Sequence, residues 1–95
     1  MNIWRRKDVQ ELLKALLTLD GEDEAKAFLR DLLTESELIE FSKRWKAARM
    51  LYRGRSYTSI VKETGLSSAT VARISKWLHD GEGGYQLMLE RIDRA

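Results

Sequence analysis

The chain has no cysteine and no proline, a single histidine, and six glycines in 95 residues. Without cysteine there is neither a disulfide framework nor a zinc ribbon, and His79 cannot build a metal site alone, so neither metal nor cofactor is expected. No apolar run is long enough for the core of a signal peptide or for a membrane span, which predicts a cytoplasmic protein without a membrane partner. Catalytic constellations are missing too. No serine has a histidine whose position suggests a triad, and no carboxylate pair or metal cluster stands out, so an enzyme is not expected. His79 and Asp80 instead fall at the end of a helical run, where a histidine suits the negative end of the helix dipole. The acidic "GEDE" lacks the spread of oxygen ligands that a calcium loop requires.

What is present is ordinary for a globular protein, with 43% hydrophobic and 34% charged residues. This length corresponds to one domain, 1–95, which on folding buries only about two-thirds of the surface exposed by the unfolded chain. The net charge of +2 conceals a strong asymmetry. Residues 20–40 hold eight acidic side chains against Lys26 and Arg30, whereas residues 43–76 hold nine basic ones against Glu63 alone. Such a continuous basic segment is the footprint expected of phosphate binding.

With no proline to break helices, the glycines at 21, 54, 65, 81, 83 and 84 punctuate the chain. Val9, Leu12, Leu13, Leu16 and Leu17 recur on one face of a first helix, which Asp20-Gly21 stops. Ala25, Phe28, Leu29, Leu32 and Leu33 repeat the spacing in a second. Thr34 and Glu37 read as a capping box for a long third helix, extending to about Arg53 with a stripe of Leu38, Phe41, Trp45, Ala48 and Tyr52. Gly54 is placed to be its left-handed cap. A short fourth helix covers roughly 57–64 with Ile60 and Val61 inward, a fifth runs from Ser68 to about Leu78, and a sixth aligns Tyr85, Met88, Leu89 and Ile92. Trp4, Trp45 and Trp77 are spaced as core or interface residues. So many apolar faces exceed what one small chain covers, which predicts an all-α, intertwined homodimer.

The stretch "YTSIVKETGLSSATVARISKWL" supplies each part of a helix-turn-helix over about 57–78. Gly65 occupies the turn, Leu66, Val71 and Ile74 provide facing apolar contacts, and the Ser67 hydroxyl can accept from the Thr70 amide as N-cap. Ser68, Ala69, Ala72, Arg73 and Lys76 remain outward. Small residues let a helix approach base edges, serine can bond any base, and arginine can make a bidentate contact to guanine. Ser67, Ser68, Ala69, Ala72, Arg73 and Lys76, with Arg55, Lys43 and Lys46 for phosphates, form the expected interface to double-stranded DNA.

The stretch "LLTESELIEFSKRWKAARMLYRGRSYTSIVKETGLSSATVARISKWL" resembles the Trp repressor superfamily, most closely its YerC/YecD-type branch of transcriptional regulators. The resemblance implies an interlocked homodimer with one helix-turn-helix head per operator half-site. It also implies a corepressor space, in which Arg44 and Arg73 match two arginines that sandwich an indole. Thr70 matches another pocket residue, and Leu33 and Thr34 match a loop contributed by the partner subunit. Two positions depart from the pattern: Ile74 replaces a glycine and Trp77 a small serine. The expected protein is therefore a DNA-binding regulator of repressor type whose corepressor space is filled from within by Ile74 and Trp77, and which acts without tryptophan. Whether another small-molecule effector binds is left open. The alternative is a helical dimer that uses the same helix-turn-helix to dock protein, although a docking face should expose more apolar area.

Overall fold

A computed structural model describes residues 2–94, which form six α-helices and a short 3-10 turn, with no strand among the described residues. The helices are α1 (Lys7–Leu17), α2 (Glu22–Leu32), α3 (Glu35–Tyr52), α4 (Tyr57–Thr64), α5 (Ser68–Asp80) and α6 (Gly84–Arg94). They fall into two compact units, one ending at Glu35 and the other beginning at Ser36.

The first unit shows how local chemistry sets helix ends. The Asn2 side chain accepts from the Trp4 amide to start the 3-10 turn Ile3–Arg5, and Gln10 Nε2 donates to the Trp4 carbonyl at 2.9 Å. Asp8 opens α1, where a negative charge meets the positive end of the helix dipole. The Arg6 guanidinium, 2.9 Å away, holds the Asp8 carboxyl below the usual carboxylate range. α1 ends earlier than Asp20-Gly21, because the Thr18 hydroxyl donates to the Ala15 carbonyl at 2.7 Å and diverts the last turn. Gly21 then leads into α2, whose first turn collects Glu22, Asp23 and Glu24. Neither helix buries a residue. Leu12, Leu13 and Leu16 remain more than a third exposed and Leu17 is 85% exposed, despite the regular stripes that carry them.

In the second unit α3 ends in a Schellman motif: the Arg55 amide donates to the Met50 carbonyl and the Gly54 amide to that of Leu51, with Gly54 at φ +79°. The core gathers Ala47, Ala48 and Met50 of α3, Ile60 of α4, Leu66 of the turn, and Val71 and Ile74 of α5. Full burial of Ile60, Val71 and Ile74 contributes about 1.5–3 kcal/mol each.

The inner face of α3 differs from the expected stripe. Ala47 and Ala48 are both fully buried while Phe41 and Tyr52 stay nearly half exposed. Two consecutive alanines can be buried together because they let the neighbouring elements approach the helix closely over a wide arc. Trp45 is half-buried and stacks on Tyr85 with ring centroids 6.2 Å apart, whereas Trp4 and Trp77 are about half exposed rather than core. In α6 only Leu89 of the expected face is buried; Met88 and Ile92 are exposed. The Gln86 side chain donates to the Leu78 carbonyl at 2.7 Å, tying α6 to the end of α5.

Two glycines are required for different reasons. Gly65 has φ +74° with open space where a Cβ would stand, so Gly65→Ala should cost about 1 kcal/mol through backbone conformation alone. At Gly81 a Cβ would overlap the Trp77 carbonyl oxygen, so Gly81→Ala should cost more and fray the last turn of α5. Urea denaturation with far-ultraviolet dichroism distinguishes the two; equal midpoints for both variants would refute the steric difference.

Candidate nucleic-acid interface

α4 and α5 form a helix-turn-helix held by the chemistry of residues 64–67. Thr64 is buried, and its hydroxyl donates to the Ile60 carbonyl at 2.7 Å while accepting from the Leu66 amide at 3.2 Å. This one side chain satisfies a turn that would otherwise bury a free donor. Ser67 Oγ accepts from the Thr70 amide at 3.1 Å and donates to Thr70 Oγ1 at 2.9 Å, so α5 begins at Ser68 with its N-terminus free to face outward. Ser56 caps α4 in the same way, accepting from the Ser59 amide.

Along α5 the helical period separates two faces. Val71, Ile74, Ser75 and Leu78 are buried; Ser68, Ala69, Ala72, Arg73 and Lys76 are exposed, as is the capping Ser67. The outer face is therefore small and polar at its start and cationic farther on. Arg73 and Lys76 take part in none of the salt bridges among the described residues.

The flanking cations are more constrained. Lys43 is half-buried on α3, and the exposed Arg44 lies over the Phe41 ring with its guanidinium carbon 5.5 Å from the ring centre. Arg55 and Lys46 both meet Glu63, at 3.2 and 3.9 Å, and Arg55 also donates to Ser59 Oγ.

The residues matched to a corepressor space lie in several settings. Leu33 and Thr34 lie just before the end of the first unit, Thr70 is half-buried and bonded to Ser67, and Arg73 is exposed. Ile74 is fully buried in the core. Trp77 is 49% exposed and, with Trp45, Tyr85 and Met88, borders an open hollow of about 840 Å³ whose rim carries Asp80 and Glu82. Of the two departing residues, Ile74 is thus enclosed by the core and Trp77 is not. Three residues along a helix correspond to a rotation of about 300°, which turns Trp77 about 60° away from Ile74 and toward α6.

Sequence reasoning passed over Thr64, Ser56 and Gln86, and noted Glu63 only as the one acidic side chain in a basic run. Ser56 had a visible signal, a serine immediately before the start of the fourth helix. Gln86 had none, because its partner is defined only once α6 folds back on α5. No cluster of histidine and acidic side chains suited to a metal occurs among the described residues.

An all-helical chain with a capped helix-turn-helix, an outward face of small and basic residues and a cationic flank defines a DNA-binding class of regulator. The Trp repressor protein family model matches residues 7–93, and the chain belongs to that family. It is 35% identical to Uncharacterized protein YerC of Bacillus subtilis (strain 168) over 88 residues, covering 93% of this chain and 85% of that one. A crystal structure of a TrpR-like protein from Eubacterium eligens ATCC 27750 superimposes with a TM-score of 0.89 at 35% identity, covering 98% of this chain and 96% of the other. A further crystal structure, from Staphylococcus aureus, gives 0.87 at 35% identity, with 98% and 95% coverage. Members of this family are regulators rather than enzymes. No helix among the described residues is long and apolar enough to cross a membrane.

Removal of the α5 cap should be felt locally. Ser67→Ala should lower stability by about 1 kcal/mol, measured by thermal or urea unfolding, because the Thr70 amide loses its acceptor.

Proposed function

We propose that this protein is a sequence-specific transcriptional regulator of repressor type that binds a two-fold operator through the 57–78 head of each protomer in an intertwined homodimer. The observation that supports this best is the outward face of α5, where Ser68, Ala69 and Ala72 permit close approach to a major groove and Arg73 offers a bidentate donor pair to guanine. Lys76, Lys43, Lys46 and Arg55 then serve phosphates. Contacts of this second kind fix register on the duplex but do not read sequence.

The homodimer is supported by the first unit. Two helices with regular apolar stripes and no buried residue need a cover, and a second copy supplies one with the symmetry that a two-fold operator requires. The whole chain, 1–95, then acts as one Trp-repressor-like domain within that dimer. Ile74 supports independence from tryptophan, because a buried sec-butyl group stands where the resemblance places a glycine against the ligand.

Equilibrium binding to duplex DNA should weaken steeply with salt, with log K falling linearly against log salt concentration. Lys76→Ala should weaken all sequences alike, whereas Arg73→Ala should change base preference at a cost of about 1–3 kcal/mol. A flat salt dependence would favour protein docking. Sedimentation should show a dimer at micromolar concentration, and Leu32→Asp should destabilise it; a folded wild-type monomer would refute the intertwined assembly. Calorimetry should detect no tryptophan binding, and binding at millimolar or lower concentration with a matching gain in DNA affinity would overturn the claim of independence.

A further inference from the structure

Glu63 is the only acidic side chain among the nine basic ones between residues 43 and 76. Its two carboxylate oxygens take different cations. Oε1 accepts from Arg55 Nη2 at 3.2 Å, and Oε2 lies 3.9 Å from Lys46 Nζ. Arg55 Nη2 also donates to Ser59 Oγ, one turn before Glu63 on α4. The cluster therefore joins α3 through Lys46, the α3–α4 connection through Arg55, and α4 through Ser59 and Glu63.

Stability alone does not account for this arrangement. The three charged side chains are about half exposed, at 52% for Lys46, 45% for Arg55 and 47% for Glu63, and pairs in such contact with water are screened and add little. The α3–α4 junction is also fixed without them, by the Gly54 cap, the Ser56 cap and the burial of Ile60. What a carboxylate does offer is a close imitation of phosphate: two anionic oxygens that a guanidinium or ammonium group grips with charge-assisted bonds.

We infer that Glu63 is an internal phosphate mimic that sets the strength of backbone binding, engaging Arg55 and Lys46 so that DNA phosphates must displace it. This rests on the DNA-binding reading above. The muting is selective: Glu63 ties up two flanking cations while Arg73 and Lys76, on the outer face of α5, have no salt-bridge partner among the described residues. The part of the sequence-independent attraction that Lys46 and Arg55 supply is held down, while Arg73 is left free to read bases. A regulator that must leave the many wrong sites it meets gains from that balance.

The test is binding of a random-sequence duplex and of a selected operator, across a salt series, by wild type, E63Q, the double variant K46Q/R55Q, and the triple variant. The amide of E63Q keeps the shape and removes the charge. In E63Q two cations per head are released, so the log K against log salt slope should steepen by about one to two units per head. Affinity at low salt should rise by roughly threefold to tenfold, the range set by freeing two weak exposed pairs. Both DNAs should gain by the same factor, because phosphate contacts carry no sequence information. In the K46Q/R55Q background, E63Q should have no effect on the slope. Unchanged or weaker binding by E63Q overturns the inference, as does an effect that persists without Lys46 and Arg55. Failure of E63Q to fold would make Glu63 a structural tie and overturn it equally. A flat salt dependence in wild type and every variant removes the DNA-binding reading itself, and this inference with it.

Discussion

The left-handed backbone at Gly65 lets Thr64 and Leu66, on either side of it, both turn inward and be buried. With φ at +74°, the chain reverses within a residue, the Thr64 hydroxyl reaches both the Ile60 carbonyl and the Leu66 amide, and Ser67 is delivered to the start of α5. An ordinary residue there would resist this conformation, because its Cβ would crowd the following carbonyl. The orientation of α5 depends on that turn, and so does every side chain α5 presents.

Packing beneath the turn converts this geometry into a rigid platform. Ala47 and Ala48 leave α3 narrow, so Ile60, Val71 and Ile74 can all be fully enclosed in one cluster. Close-packed interiors of this kind deform little. The outward face of α5 is consequently held by a core that contains Ile74 itself.

Electrostatics is layered over the platform in two grades. Arg73 and Lys76 project from α5 without salt-bridge partners among the described residues, while Lys46 and Arg55 share Glu63 and Arg44 rests on Phe41. The basic segment is therefore not a uniform cloud of charge. Some cations are free to meet an anion at once, and others must first give up an internal partner.

Local chemistry was legible in the sequence. The extent of α4, the Ser67 cap, the left-handed Gly54 and Gly65, and the division of α5 into Val71 and Ile74 inside against Ala72 and Arg73 outside follow from the helical period and from the conformational needs of single residues, both encoded within a few positions. Tertiary structure alone decided the burial of adjacent Ala47 and Ala48, the exposure of Trp77, the bond from Gln86 to the end of α5, and the pairing of Glu63 with both Lys46 and Arg55. The partners in these cases lie 8 or more residues apart, or on separate helices, and periodicity within one helix cannot say which neighbour will cover a given face. Glu63 in particular looked like a lone exception in a basic run. Its partners became visible only when folding brought Lys46 of α3 and Arg55 of the α3–α4 connection to the two oxygens of one carboxylate.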